Sequence, residues 1–86
     1  MRLIFAPTAW KQFLYWQETD KATFRRLTAL IKECLRHPFE GIGKPEPLKG
    51  DLAGLWSRRI DREHRLVYRV TGDALEIVRC RYHYAP

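Results

Sequence analysis

The stretch Leu55-Trp-Ser-Arg-Arg-Ile60, Asp61-Arg-Glu-His64, Arg65-Leu-Val-Tyr-Arg-Val70, Thr71-Gly-Asp73 and Leu75-Glu-Ile-Val-Arg-Cys-Arg-Tyr82 decides the fold. Apolar and polar side chains alternate along it, and a period of two is the signature of a half-buried strand. The breaks at 61–64 and 71–73 have the size and composition of turns, so the segment reads as three strands joined in two antiparallel hairpins. Leu66, Tyr68 and Val70 share one side; Arg65, Val67 and Arg69 share the other. In the last strand, expected to run from Leu75 to Tyr82 or beyond, Val78, Cys80 and Tyr82 fall on one side and Arg79, Arg81 and His83 on the opposite one. A sheet of this kind buries its apolar face under a second layer and leaves the other open. The expected open face therefore carries Arg65, Arg69, Arg79, Arg81 and His83, with Tyr82 in the core.

Upstream, the period lengthens. Arg2 to Phe5 reads as a short first strand, and Pro7 opens a helix, since proline is tolerated in a first turn. Trp10, Phe13 and Leu14 follow at helical spacing and are expected to make core contacts. Thr19-Asp20 supplies a break and a helix cap, after which Phe24, Leu27, Ile31, Cys34 and Leu35 mark a second amphipathic helix. It stops before His37-Pro38, because the residue preceding proline is biased away from helix. So short a break makes the two helices a hairpin. Residues 38 to 50 hold three prolines and three glycines, and no regular element is expected there. The order β-α-α-β-β-β implies an α+β domain: an antiparallel C-terminal sheet with the helical hairpin packed on one face.

Eighty-six residues allow one domain, 1–86, with one modest core. A composition of 45% hydrophobic and 30% charged residues fits a folded chain and not a disordered one. No apolar run approaches the roughly 18 residues that span a bilayer, and the N-terminus does not read as a signal peptide. The expected location is cytoplasmic. Cys34 and Cys80 are far apart and read as buried, reduced thiols. The three histidines show no metal-ligand spacing. The net charge of +6 favours anionic partners, nucleic acid among them.

One carboxylate stands out. Glu46 lies between Pro45 and Pro47, which limit its backbone freedom, and Lys44 and Lys49 flank it. Cleavage of RNA by its own 2′-hydroxyl needs a base for that proton, cations for the charge on the phosphoryl oxygens, and an acid for the leaving 5′-oxygen. Glu, Arg or Lys, and His suit these roles, and no metal or other cofactor is required. Of the remaining residues, Trp56 reads as structural, His37 and His64 as solvated, and Arg58 and Arg62 as surface charge or ribosome contacts.

Tyr15-Trp-Gln-Glu-Thr-Asp20, Pro38-Phe-Glu-Gly41, Gly43-Lys-Pro-Glu-Pro-Leu-Lys49, Trp56-Ser-Arg-Arg-Ile60, Glu63-His-Arg-Leu-Val-Tyr68 and Cys80-Arg-Tyr-His-Tyr84 resemble the YoeB toxins of the RelE/ParE-type superfamily of bacterial toxin–antitoxin systems. The resemblance covers essentially the whole chain. It implies a microbial RNase-like toxin fold and an enzyme that cuts mRNA in the ribosomal A site, leaving a 2′,3′-cyclic phosphate and a 5′-hydroxyl. It assigns Glu46 as general base, His83 as general acid and Arg65 as the main phosphate-stabilising group. Lys49 and Arg59 match supporting cations and Tyr84 a residue that orients substrate, while Arg81 adds a further substrate-side cation. It also implies a YefM-like antitoxin that wraps the toxin, and a homodimer. The family typically ends at Tyr-His-Tyr, whereas Ala85-Pro86 follow here.

Two other readings compete. The ParE branch of the same superfamily acts on DNA gyrase without cutting RNA and does not require the Glu46/His83 pair. A plain basic RNA-binding module would bind in a salt-dependent way and yield no cyclic-phosphate product.

Overall fold

The computed structural model describes residues 1–83. Strand β1 (Arg2–Phe5) leads into helices α1 (Pro7–Thr19) and α2 (Lys21–Arg36), then strands β2 (Glu46–Pro47), β3 (Trp56–Arg59), β4 (Arg65–Thr71) and β5 (Ala74–Arg79). The five strands form one sheet in the order β1-β5-β4-β3-β2. The α+β class, the helical hairpin and the two C-terminal hairpins are as the sequence implied. Pro7 starts α1, and the Asp20 carboxylate accepts the Thr23 N–H at 3.0 Å to cap α2.

The C-terminal strands pair antiparallel as implied, and β1 extends them into a mixed sheet by pairing with β5 in parallel, Arg2 opposite Ala74 through Phe5 opposite Ile77. Two expectations need correction. The Pro-rich segment is not wholly irregular: Glu46 and Pro47 form a strand at the sheet's edge, paired with Ser57 and Trp56. The edge position tolerates Pro47, which has no N–H to give to a ladder. Finally, β5 ends at Arg79, and its alternation is interrupted. Val67 pairs with Arg79 but Tyr68 with Ile77, so Val78 is the extra residue of a bulge. The bulge changes the parity, and both Ile77 and Cys80 turn into the core. Tyr82 then lies outside any strand, half exposed, with a φ of 65°.

The core lies between the helices and one sheet face. Trp16, Leu27, Leu30 and Cys34 from the helices meet Leu66, Tyr68, Leu75 and Ile77 from the sheet. The stripe on α1 is centred on Ala9, Phe13 and Trp16, and Trp10 is 47% exposed, stacked on Phe13.

Arg58 is the largest departure from expectation. It is completely buried, not a surface charge. Its parity in β3 is that of Trp56 and Ile60, which places it under the helices. Its guanidinium donates to the Tyr68 hydroxyl (3.1 Å) and to the carbonyls of Ile42 (3.0 Å), Glu40 (2.8 Å) and His37. The Tyr68 hydroxyl in turn donates to the Pro38 carbonyl at 2.6 Å. His37 caps the C-terminal end of α2, where the helix dipole is negative, so the buried charge sits at the pole that favours it. The loop leaving α2 is thereby tied to the sheet.

Candidate functional site

Cross-strand partners in a sheet point to the same face. Glu46 pairs with Ser57, Ser57 with Val67, and Val67 with Arg79, so a single row runs across four strands on the face away from the helices. The adjoining row pairs Arg59 with Arg65. At a spacing of about 4.8 Å between strands, Glu46 and Val67 are about 10 Å apart at their Cα atoms, within the span of a nucleotide and its side-chain contacts. The loop carboxylate is therefore a member of the sheet. It is set there by the β2–β3 pairing and by the Arg59 N–H donating to the Gly43 carbonyl at 2.7 Å.

The face is less open than alternation implied. Ser57 and Val67 are buried on it, and Arg65 is only 9% exposed. Arg65 is held rigidly: one guanidinium nitrogen donates to the carbonyls of Asp61 (2.8 Å), His64 (3.1 Å) and Arg62 (3.3 Å). Those carbonyls are presented by the 61–64 turn, which forms because the Asp61 carboxylate accepts the N–H groups of Glu63 (2.9 Å) and His64 (2.7 Å). Arg59 and Arg79 are exposed. Arg69 also lies on this face, but Glu76 opposite it forms a 2.6 Å ion pair, so its charge is largely matched. Arg26, Arg59, Ile60, Asp61, Arg62 and Arg65 line a cavity of about 440 Å³. Four arginines against one carboxylate make it a setting for an anion of phosphate size.

Lys49 is exposed and follows buried Leu48 directly after β2. Arg81 is not on the open face. It lies beyond the end of β5, and its guanidinium is 3.6 Å from the centre of the Tyr15 ring, on α1, and 4.6 Å from that of Tyr82. This is a stacked cation and a wall of the tail's attachment to the helix. His83 is exposed and follows Tyr82, whose carbonyl accepts the Arg65 N–H at 3.0 Å, so the imidazole is carried on a peptide bound to Arg65. Tyr84 lies outside the described residues.

Sequence reasoning missed three positions. Arg58 was legible from its shared parity with Trp56 and Ile60. Arg79 was placed on the right face but not tied to Glu46, because the four-strand row exists only through β2. His64 was read as solvated, yet its side chain is 12% exposed, edge-on to Trp16 at 4.8 Å, with Nδ1 accepting the Tyr82 N–H at 2.7 Å. Both thiols are buried, and loss of hydration pushes Cys34 up to about 11 and Cys80 up to about 12. They remain protonated and unreactive at neutral pH.

A five-stranded sheet backed by a helical hairpin, with a carboxylate and clustered arginines on its free face, defines the class of small RelE/ParE-type toxins. Residues 5–84 match the family model described as the YoeB-like toxin of bacterial type II toxin–antitoxin systems, and the chain belongs to that family. It is 60% identical over 84 residues to the Escherichia coli K12 protein named Toxin YoeB, covering 98% of this chain and all of that one. Among solved structures, the YoeB/ParE toxin from Agrobacterium tumefaciens superposes with a TM-score of 0.95 at 50% identity, covering 98% of this chain and all of that one. The Staphylococcus aureus YoeB dimer (TM-score 0.90) and the heterotetrameric YoeB–YefM toxin–antitoxin complex from the same organism (TM-score 0.89) are each 44% identical to this chain over 98% of both chains.

Proposed function

We propose that this chain is a ribosome-dependent endoribonuclease that cuts mRNA in the A site, held in check by a YefM-like antitoxin and acting as a homodimer. In this reading the Glu46 carboxylate takes the proton of a ribose 2′-hydroxyl as that oxygen attacks the adjacent phosphorus. The bond from phosphorus to the 5′-oxygen breaks, and the His83 imidazolium gives that oxygen its proton. The products are a 2′,3′-cyclic phosphate and a 5′-hydroxyl, with no atoms or electrons left over. Arg65, whose guanidinium is immobilised by three carbonyls, stabilises the phosphoryl oxygens at little reorganisation cost, with Arg59 opposite it on β3 and Lys49 as a further supporting cation. The observation that carries the reading is the registry of Glu46 with Ser57, Val67 and Arg79, one row from Arg59 and Arg65.

The test is induced expression with mapping of mRNA 5′ ends, comparing wild type with Glu46→Ala and His83→Ala. Wild type should create new 5′-hydroxyl ends, and each folded variant should cut more slowly by about 100-fold or more. Cleavage at the wild-type rate by folded His83→Ala would remove the assigned acid. DNA damage without new mRNA ends would instead favour an action on gyrase.

A further inference from the structure

His64 takes no part in these proton transfers, yet the tail that carries His83 turns on it. Tyr82 has a φ of 65°, in the left-handed region that a bulky residue rarely adopts unless its surroundings hold it there. Both peptides flanking it are held. The N–H on one side donates to His64 Nδ1 at 2.7 Å, and the carbonyl on the other accepts the Arg65 N–H at 3.0 Å. The imidazole is itself fixed. It is mostly buried and packs edge-on against Trp16, whose Nε1 donates to the Cys80 carbonyl at 2.8 Å. The Trp16–His64 pair thus anchors the chain at Cys80 and again at Tyr82. Accepting at Nδ1 leaves the ring proton of a neutral imidazole on Nε2, which lies 3.7 Å from the Glu63 carboxylate.

We infer that His64 is a positioning residue: its Nδ1 and the Arg65 amide clamp Tyr82 and thereby fix where His83 stands relative to Arg65. The clamp is a feature of the fold, whereas its consequence for rate rests on the function proposed above. Because residues 64 and 65 are adjacent, the phosphate-facing arginine and the imidazole-bearing tail are located by the same turn. A displacement of the tail would move the acid away from the leaving oxygen while the arginine face that receives the substrate stays intact. The expected signature is a loss in kcat with little change in KM.

Two substitutions separate clamp from packing. His64→Phe keeps a ring against Trp16 and deletes the acceptor. His64→Asn removes the ring but returns an acceptor, Oδ1, at the position of Nδ1. The readouts are kcat and KM for mRNA cleavage on programmed ribosomes and the exchange protection of the Tyr82 amide in the purified protein. His64→Phe should lose that protection and about 10- to 100-fold in kcat with KM nearly unchanged, and His64→Asn should recover most of both. A His64→Phe protein with wild-type kcat overturns the inference, as does a His64→Asn protein that protects the amide yet is equally slow. Should His64→Phe not fold, His64→Asn decides: a protected amide with near-wild-type kcat supports the clamp, and an unprotected one with that kcat removes it. If the wild type cuts no mRNA, the proposed function fails separately, and unchanged Tyr82 protection in His64→Phe then overturns the clamp by itself.

Discussion

Arg58 brings a full positive charge into a position with no exposed surface, and its surroundings show why that is tolerated. The Tyr68 hydroxyl and the carbonyls of His37, Glu40 and Ile42 spread over the guanidinium's planar fork, and the end of α2 supplies a negative pole. Such an arrangement is costly to break from one side, because the acceptors would be left buried without donors. Arg58→Met, similar in reach but without donors, is expected to destabilise the protein by about 3 kcal/mol or more, read as a lower urea midpoint at unchanged slope. A shift below about 1 kcal/mol would show that water replaces the guanidinium. Arg65 is held by carbonyls in the same way but faces the opposite side of the sheet, so one pattern of recognition serves structure at position 58 and the candidate site at position 65.

Between α2 and β3 the chain must travel from the helix end to the outer edge of the sheet and present Glu46 there. Gly43 governs that path. Its φ is 83°, a Cβ would stand 2.8 Å from Leu30 Cδ2 and 3.1 Å from Arg58 Cβ, and its carbonyl accepts the Arg59 N–H. Lys44 follows at a φ of 52°, after which Pro45, just before β2, and Pro47, its second residue, stiffen the backbone on both sides of Glu46. Gly43→Ala therefore combines backbone strain with a clash against the core, at an expected cost of about 2 to 4 kcal/mol. Gly54→Ala is the control: its φ is also positive, at 95°, but nothing lies within 4 Å of an added Cβ, so only the backbone cost of about 1 to 2 kcal/mol applies. Equal midpoints for the two variants in chemical denaturation would refute the close approach. A larger loss of activity than of stability in Gly43→Ala would show that the element also sets Glu46.

Over the whole molecule, the core binds protons that the unfolded chain releases. Burial raises Cys34 from 9.0 to about 11, Cys80 from 9.0 to about 12 and Tyr68 from 10.0 to about 12. Between these pairs of values the native state holds more protons than the unfolded state, so stability falls as pH rises. The contribution of these three groups should be steady up to about pH 9 and then decline, each by at most about 1.4 kcal/mol per pH unit. Urea titrations at pH 8 and pH 10.5 check this, with the Cys34→Ala/Cys80→Ala protein showing a smaller difference between the two conditions. An identical pH dependence in the double variant would refute the assignment to the thiols.

The sequence by itself determined the elements and their order. Helical and strand periods, Pro7, Asp20 and the pre-proline stop at His37 are local signals, because each rests on contacts within a few residues. It also determined the family, through motifs spread along nearly the whole chain, and with it the expected roles of Glu46, Arg65 and His83. Tertiary structure alone decided how these meet. The β2–β3 registry, the Val78 bulge and the parallel β1–β5 pairing join residues distant in sequence, and no local period encodes them. Because β5 ends at Arg79, the chain beyond it lays Arg81 on Tyr15 and not on the arginine face, the carbonyls at the end of α2 let the Arg58 charge lie in the core, and the left-handed turn at Tyr82 recruited His64. A one-residue change of parity inverts every side chain beyond it, and that inversion is set by packing against α1, which the alternating pattern of the strand does not contain.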